Sequence, residues 1–289
     1  MKKLIVNFTP TGMLMKKSNT PHIPIKPDEI IEDVKRAYKI GISSVHLHAR
    51  NADDESPCYR KEVFEEIILG IRQFAPDLVI SVTTSGRVYN EFDKRTDVLL
   101  LDGMAKPDMG SLTLSSLNFN KTASVNSPDM IQQICGKMSE IGIKPELEAF
   151  DSGMINYAKY LIKKNLLKPP YYFNLILGNI ACAQADLLHA GVMLNDLPEN
   201  SIAALGGIGN AQLQINALAI SMGYGIRIGL EDNIWFDEER TKLATNENYL
   251  LRAKGIAKAL NREICTPSEL RSILGLKKGF GEYGERGQI

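Results

Sequence analysis

Short apolar runs and amphipathic helical patterns alternate along this chain. Runs rich in β-branched and aromatic residues predict strands over 3–9, 43–49, 77–83, 109–115, 144–150, 171–177, 201–206 and 226–230. Between these runs, apolar residues recur at helical spacing, which predicts helices over 27–40, 61–75, 91–101, 127–140, 153–165, 184–195, 211–222 and, after the last strand, 241–260. The alternation predicts a fold of the α/β class built from repeated strand–helix units.

The number of these units favours a closed barrel. Eight strand–helix pairs in 289 residues predict a (β/α)8 TIM barrel, a single domain over 1–289 with a C-terminal helical extension from about 241 to 289. A doubly wound open sheet is the alternative, because strand order cannot be read from one sequence. The barrel predicts that chemically active residues lie at the carboxyl ends of the strands.

Charge and cysteine content narrow the class of protein. The chain has 34 basic and 34 acidic residues, and they are scattered, so no basic surface for nucleic acid or an anionic membrane is expected. The 4 cysteines lie far apart without a CxxC pair, which favours reduced thiols in a cytoplasmic protein. No apolar run approaches the ~20 residues of a membrane-spanning helix.

Half of the histidines lie in one short segment. The chain has 4 histidines, and His46 and His48 occur together in VHLHAR, at the end of the second predicted strand. Residues i and i+2 of a strand point to the same side, so the two imidazoles can share one metal ion. Alternatively, both are buried histidines that are hydrogen-bonded to the backbone.

The segment IRIGLEDNIW supplies the acidic groups that such a site needs. Alternation puts Arg227 and Glu231 on one face, and closure of a barrel brings this strand close to the histidine strand. Two histidines and a glutamate, with one open position, form an established catalytic zinc site. Arg227 offers a planar fork for a substrate carboxylate, and Asp232 can act as a base. The alternative for Arg227 and Asp232 is a simple ion pair.

Small and hydroxyl residues end several other predicted strands. They occur in TTSGR, GSLTLSS and LGGIGN, where a helix amino terminus can follow the glycines. In PELEA, alternation puts Glu146 and Glu148 on one face, either to bind a basic substrate group or to form a buried ion pair. The candidate substrate-binding residues are Thr83, Ser85, Gly86, Ser111, Thr113, Glu148 and Asn210.

The combination of VHLHAR, TTSGR, PELEAFDSGM, GGIGN and IRIGLEDNIW resembles the β-keto acid cleavage enzyme family over about residues 4–275. The resemblance implies a metal-dependent barrel that exchanges acyl groups between a β-keto acid and acetyl-CoA, and a homotetramer. It implies that zinc is held by His46, His48 and Glu231, that Arg227 binds the keto acid's carboxylate, and that Asp232 is the general base. It also implies that Thr83 and Ser111 supply hydroxyl groups that contact the substrate.

Two positions depart from the pattern of this family. Leu14, in TGMLMKK, stands where well-studied members have an acidic residue, and Asn210 stands where arginine is frequent. The substrate, the rate or the activity itself is therefore expected to differ. Two other functions stay open: a zinc-dependent aldolase or hydrolase on the same barrel, and a non-catalytic protein that binds a metal or an acyl-CoA. The ligand types do not distinguish zinc from iron, cobalt or nickel.

Overall fold

A computed structural model describes residues 2–286 of the chain. Within these residues, eight parallel strands form a closed barrel in chain order, and the last strand pairs with the first. This closure confirms the barrel and excludes the open sheet. The strands are β1 (Val6–Phe8), β2 (Ser44–Leu47), β3 (Val79–Val82), β4 (Met109–Thr113), β5 (Lys144–Ala149), β6 (Tyr171–Leu177), β7 (Ser201–Gly207) and β8 (Gly225–Ile228).

Helices surround the barrel at the predicted places, with shifted ends. They are α1 (Pro27–Ile40), α2 (Lys61–Arg72), α3 (Phe92–Thr96), α4 (Pro128–Ile141), α5 (Ser152–Lys163), α6 (Leu187–Asn195), α7 (Ala211–Met222), α8 (Asn246–Ala259) and α9 (Pro267–Leu274). Capping side chains set two of the starts, because Asp186 accepts a hydrogen bond from the His189 amide (2.8 Å) and Thr245 accepts one from the Asn248 amide (3.1 Å). Helix α6 therefore begins later than its predicted start at residue 184, and α8 begins later than its predicted start at residue 241.

One predicted helix is divided. The helix expected over 91–101 consists of α3 and a 3₁₀ turn over Asp97–Leu100. At the junction, the Thr96 hydroxyl donates a hydrogen bond to the Phe92 carbonyl (2.9 Å), a back-bond that weakens a helix at this point.

Helix α9 closes the amino-terminal end of the barrel. Its Leu270 and Leu274 belong to a buried cluster that includes Val79, Met109 and Tyr172, residues at or near the start of their strands. The outer faces of the strands pack in a second, larger apolar cluster together with the surrounding helices. The opposite end of the barrel is consequently the one that is open to ligands.

The region from 241 onward is only partly helical in the described residues. Helix α8 is the eighth helix of the barrel ring and packs against α1 and α7. After α9, isolated bridges pair Leu276 with Glu285 and Gly279 with Glu282. Residues 287–289 of the expected extension lie outside the described part of the chain.

In the described part of the chain, no helix combines the length and the apolar character that crossing a bilayer requires.

Candidate active site

A cavity of about 550 Å³ opens at the carboxyl ends of the strands. Its lining includes His46 and His48 together with Arg227, Glu231 and Asp232. This is the end of the barrel at which enzymes of this fold place their chemistry.

The two histidines and Glu231 meet in this cavity. One potential ligand atom from each lies within 4.8 Å of the other two. The Nε2 atoms of His46 and His48 are 3.2 Å apart, and His48 Nε2 lies 3.2 Å from Glu231 Oε1. Strand alternation brings the histidines together, as predicted, because His46 lies on β2 and His48 follows it directly.

Glu231 reaches the cavity by a turn rather than by strand alternation. The strand expected over 226–230 ends at Ile228, so the sequence prediction was wrong about how Glu231 is positioned. At Gly229 the chain passes so close to β1 that an added Cβ atom would collide with the Thr9 carbonyl. The Glu231 amide then donates a hydrogen bond to the same carbonyl (3.2 Å), which directs its side chain toward the histidines.

Glu146 orients His46 from inside the barrel. Its Oε2 lies 2.7 Å from His46 Nδ1 and also accepts a hydrogen bond from the Ser81 hydroxyl, while its Oε1 accepts one from Asn7 Nδ2 (2.7 Å). Burial raises the pKa of Glu146, but the charge of His46 and its hydrogen bond outweigh burial and lower the pKa to about 2. Burial also opposes the charged form of His46, yet Glu146 raises the pKa of His46 to about 9. The ionised Glu146 therefore holds the Nδ1 proton, which fixes the ring so that Nε2 is the nitrogen that faces His48 and the cavity.

The donor set fits a divalent transition metal. Glu231 Oε2 is buried and has no hydrogen-bond partner among residues 2–286. The Nε2 atoms of His46 and His48 also face each other at 3.2 Å, and Glu231 Oε1 lies 3.2 Å from the second of them. Since buried polar atoms are rarely left without partners, the orphaned oxygen and the paired nitrogens match a cation bound between them.

Arg227 connects three carboxylates next to this cluster. Its Nε donates to Asp232 Oδ2 (3.0 Å), its Nη2 to Glu231 Oε1 (2.6 Å), and its Nη1 lies 3.4 Å from Glu148 Oε1. The ion pair of Arg227 with Asp232 is present, but as part of a larger network. Because the guanidinium already holds acid groups, its role in binding a substrate carboxylate stays a prediction.

Two carboxyl groups of this network have raised pKa values. Burial raises the pKa of Asp232, and the charge of Glu231 adds to the increase against the opposing charge of Arg227. Burial likewise raises the pKa of Glu148, although Arg227 lowers it. A carboxylate with a raised pKa that borders a cavity has the character of a general base.

Three of the predicted hydroxyl residues border the cavity. Thr83 and Ser85 follow β3, and Thr113 is the last residue of β4. The Thr113 hydroxyl donates a hydrogen bond to Glu148 Oε2 (2.8 Å), so these two residues face the cavity as a pair.

The other three predicted contact residues do not border the cavity. The Ser111 hydroxyl accepts a hydrogen bond from the Thr84 amide (3.1 Å), which joins β4 to the end of β3. Gly86 has no room for a side chain, because an added Cβ would collide with the Val125 carbonyl. Asn210 Nδ2 donates to the Glu238 carbonyl (3.0 Å) and so ties the start of α7 to the loop after β8.

The sequence analysis left one residue that supports the site without a settled role and missed another that borders it. It left Glu146 as either a substrate group or a core ion pair, because the pattern PELEA shows an inward face but not the neighbour across it. It did not single out Arg87, which ends TTSGR and borders the cavity, because a loop arginine has no periodicity that predicts its direction.

Comparison with known proteins gives matches over nearly the full chain. A model of the beta-keto acid cleavage enzyme family matches residues 3–276. A 3-keto-5-aminohexanoate cleavage enzyme from Fusobacterium nucleatum is 36% identical over 281 residues, which cover 96% of this chain and 100% of that protein. A 3-oxoadipate:acetyl-CoA acetyltransferase from Cupriavidus necator is 31% identical over 275 residues, which cover 94% of each protein.

A solved structure also resembles this fold. The apo structure of ObcA superposes on 90% of this chain with a TM-score of 0.72 and 19% sequence identity, and the match spans 66% of that protein. At this identity the likeness concerns the fold alone.

Proposed function

Because this chain belongs to the β-keto acid cleavage enzyme family, we propose that it cleaves a β-keto acid with acetyl-CoA and releases acetoacetate and a new acyl-CoA. The name of one relative contains a β-keto acid, and the name of another contains acetyl-CoA as the acyl donor. The observation that carries the proposal is the convergence of His46, His48 and Glu231 beside the pair of Arg227 and Asp232.

The proposal includes a zinc ion held by His46, His48 and Glu231. Support comes from the ligand atoms within 4.8 Å of one another and from the unpartnered Glu231 oxygen. When bound, zinc would act as a Lewis acid that draws electron density from the keto oxygen of the substrate.

Asp232 is the proposed general base. It accepts the C2 proton of the β-keto acid, and the resulting carbon nucleophile forms a bond to the acetyl carbonyl of acetyl-CoA, which expels the CoA thiolate. The thiolate then attacks the C3 carbonyl, the C2–C3 bond breaks, and Asp232 returns the proton to C2 of acetoacetate. Arg227 holds Asp232 by a hydrogen bond of 3.0 Å and balances the negative charge that develops.

The hydroxyl groups around the cavity position the substrate in this scheme. Thr83 and Ser85 border the cavity close to the histidine strand, where they can donate hydrogen bonds to a carboxylate. Thr113 keeps Glu148 facing the cavity through its hydrogen bond of 2.8 Å.

The assembly and the location are also part of the proposal. We infer a homotetramer, and apolar side chains with high exposure next to and on α6, namely Ile180 (67%), Leu187 (73%) and Leu188 (72%), support an interface with another chain. Light scattering by the purified protein measures the number of chains. The free thiol state of all four cysteines, Cys58, Cys135, Cys182 and Cys265, supports a cytoplasmic location.

A screen of β-keto acids with acetyl-CoA tests the reaction. Mass spectrometry detects each new acyl thioester, and omission of acetyl-CoA distinguishes cleavage with acetyl-CoA from aldolase or hydrolase chemistry. Asp232→Asn is expected to lower kcat by roughly 10² to 10⁴-fold because the proton acceptor is removed. Asp129→Asn, at an exposed position of α4, is the matched control and is expected to keep full activity. Unchanged turnover by Asp232→Asn, or product without acetyl-CoA, contradicts the proposal.

A further inference from the structure

The cavity contains an arginine whose charge has no carboxylate partner. Arg87 follows β3, is half-buried and borders the cavity together with the histidines and Glu231. Its Nε donates a hydrogen bond to Thr122 Oγ1 (3.1 Å), and its guanidinium carbon lies 3.8 Å from the centre of the Phe119 ring. Within residues 2–286, neither terminal amino group of Arg87 has a hydrogen-bond acceptor or an acidic partner.

The two arginines of the cavity are therefore in opposite situations. Arg227 is bonded to Glu148, Glu231 and Asp232, which are the acidic residues that border the cavity in the described chain. The pocket consequently has one partly desolvated cation to spare, whereas each of its acidic residues is already paired with Arg227. A partly buried charge without a partner is unfavourable until an anion binds it.

The surroundings of Arg87 hold the guanidinium in a fixed orientation. Phe119 and Thr122 belong to the hairpin whose strands are Leu117–Asn118 and Ala123–Ser124, so one face of the guanidinium is covered and one edge is occupied. The edge with the terminal amino groups is left available. A planar edge of this kind binds a carboxylate with two parallel hydrogen bonds.

We propose that Arg87 is a specificity-determining residue that binds a second, distal carboxylate of the substrate, so that this enzyme acts on dicarboxylic β-keto acids. The proposal rests on the proposed function, because it assumes that a β-keto acid occupies the cavity. It deepens that function by naming the class of acyl group that the enzyme transfers.

The phosphates of CoA are the other source of an anion, and the position of Arg87 disfavours them. In acetyl-CoA the phosphates are separated from the thioester by the long pantetheine arm, whereas Arg87 and the residues around the reacting carbon border one cavity. Burial lowers the pKa of Arg87, and the charge of Glu231 opposes this shift. Lys121 also borders the cavity but is exposed at its rim, where it is a better match for a phosphate.

A pair of substrates tests the assignment. The ratio of kcat/KM for 3-oxoadipate to that for 3-oxohexanoate, which has the same chain length and no distal carboxylate, is measured for the parent and for Arg87→Met. The parent is expected to prefer 3-oxoadipate, and Arg87→Met is expected to lower the ratio by about 10 to 100-fold because a charged hydrogen-bond donor is lost. Arg87→Lys is expected to restore part of the ratio, since it keeps the charge and loses the fork.

Two controls separate binding from folding. Lys121→Met removes a charge at the rim of the same cavity and is expected to change the ratio by less than about threefold. Thr122→Val keeps Arg87 and removes its hydrogen bond, so a smaller fall in the ratio than for Arg87→Met is expected. Thermal unfolding midpoints of all variants show whether the hairpin and the barrel stay folded.

Three results overturn the assignment. One is an equal loss of kcat/KM for both substrates in Arg87→Met. Another is a parent that prefers 3-oxohexanoate or 3-keto-5-aminohexanoate, which carries an ammonium group and no distal carboxylate. The third is an Arg87→Met variant with a higher KM for acetyl-CoA and an unchanged KM for acetyl-pantetheine, which lacks the nucleotide. If the parent turns over no β-keto acid with acetyl-CoA, the proposed function fails instead. Calorimetry with adipate and hexanoate then still tests Arg87. The subsite is supported if the parent binds adipate more tightly than hexanoate and Arg87→Met loses this preference. The subsite is contradicted if the parent shows no such preference.

Discussion

Glu146 and Glu148 lie two residues apart on the inner face of β5, yet the barrel gives them opposite acidities. Glu146 faces His46 and the amide of Asn7, and its pKa falls to about 2 in spite of burial. Glu148 faces Thr113 and, at 3.4 Å, the Nη1 of Arg227, and burial raises its pKa. The first residue is therefore suited to hold a proton on a neighbouring ring, and the second is suited to exchange one.

This difference predicts separate effects on metal affinity. Glu146→Gln removes the charge that fixes the Nδ1 proton of His46, and we expect zinc affinity to fall by roughly 10 to 100-fold. Competition with a fluorescent chelator at about neutral pH measures the affinity. The matched control is Glu148→Gln, which touches no histidine and is expected to keep the affinity within about threefold while activity falls. Equal affinities in the parent and in Glu146→Gln contradict the role of Glu146.

At the scale of single residues, the sequence predicts which way a side chain points better than it predicts which residue that side chain contacts. Alternation in VHLHAR and PELEA indicates that both histidines and both glutamates face inward, and the structure places them there. Which glutamate meets His46 depends on the register of the strands between them, in which His46 lies beside Ser81 of β3 and Ser111 of β4 lies beside Glu146. Register in a parallel barrel has no local sequence signal, so the partner could not be predicted.

The loop after β1 and the turn after β8 together position Glu231. Gly12 has a φ of +65° and contacts Glu231 so closely that an added Cβ would lie 2.6 Å from Glu231 Cγ. Arg50 Nη1 donates a hydrogen bond to the Gly12 carbonyl (3.0 Å), which fixes the loop from the side of the histidine strand. Two connecting segments thus hold one candidate ligand between them.

Gly12→Ala tests this arrangement. The new methyl group would push Glu231 away from the histidines and would also strain a backbone that favours glycine, so we expect weaker zinc binding and a loss of about 1 kcal/mol or more in the free energy of unfolding. Urea unfolding and metal titration measure the two effects.

The control for this substitution is Gly136→Ala, in the middle of α4. An added Cβ at Gly136 meets no atom within 4 Å in the described structure, and alanine is expected to stabilise the helix by roughly 0.5 to 1 kcal/mol. If Gly12→Ala instead binds zinc as tightly as Gly136→Ala, the contact between Gly12 and Glu231 does not position the ligand.

At the scale of elements, the long periodic segments were predicted and the short ones were not. The (β/α)8 alternation follows from apolar periodicity, but the hairpin of Leu117–Asn118 with Ala123–Ser124 has two-residue strands that carry no pattern. That hairpin positions Arg87, so the feature that we propose to set specificity depends on an element that periodicity does not show. Likewise, β8 ends at Ile228, and the turn that follows is set by close packing rather than by alternation.

The two ends of the whole barrel use buried charge for different purposes. At the carboxyl end, several acids surround Arg227 next to an open cavity. At the amino end, Asp108 is fully buried and accepts hydrogen bonds from Arg72 (3.0 Å), from Arg271 of α9 (2.7 Å) and from the Gly284 amide (3.0 Å). The first cluster borders space for a ligand, whereas the second joins the barrel to the C-terminal segment.

The sequence alone did not reveal this second cluster. Asp108, Arg72 and Arg271 are far apart in the chain, and each is an ordinary charged residue in its own segment. Only closure of the barrel and the return of the chain through α9 bring them together. The charges that the sequence did indicate lie close together in GLEDN or at strand ends, which explains why the functional end of the molecule was easier to predict than the structural end.

Asp108 therefore makes a prediction about the stability of the whole molecule. Burial raises the pKa of Asp108, but the charges of Arg72 and Arg271 outweigh burial and lower it. A carboxylate whose pKa is lower in the folded state stabilises the fold above its unfolded pKa of about 3.9, and this contribution is lost as the pH falls through the folded value. Asp108→Asn leaves two buried arginines without their counter-ion and is expected to cost about 3 to 5 kcal/mol at neutral pH.

Urea unfolding of the parent and of Asp108→Asn over a range of pH measures this contribution. The difference in the free energy of unfolding between the parent and Asp108→Asn is expected to be constant around neutral pH. It is expected to shrink only in acid, below about pH 4, because the parent then loses the charge of Asp108 as well. Glu91→Gln, which removes an exposed partner of Lys94, is the control and is expected to leave the free energy of unfolding nearly unchanged. The carboxylate does not hold the amino end of the barrel together if Asp108→Asn loses no more stability than this control. The same conclusion follows if the stability lost in Asp108→Asn grows as the pH falls.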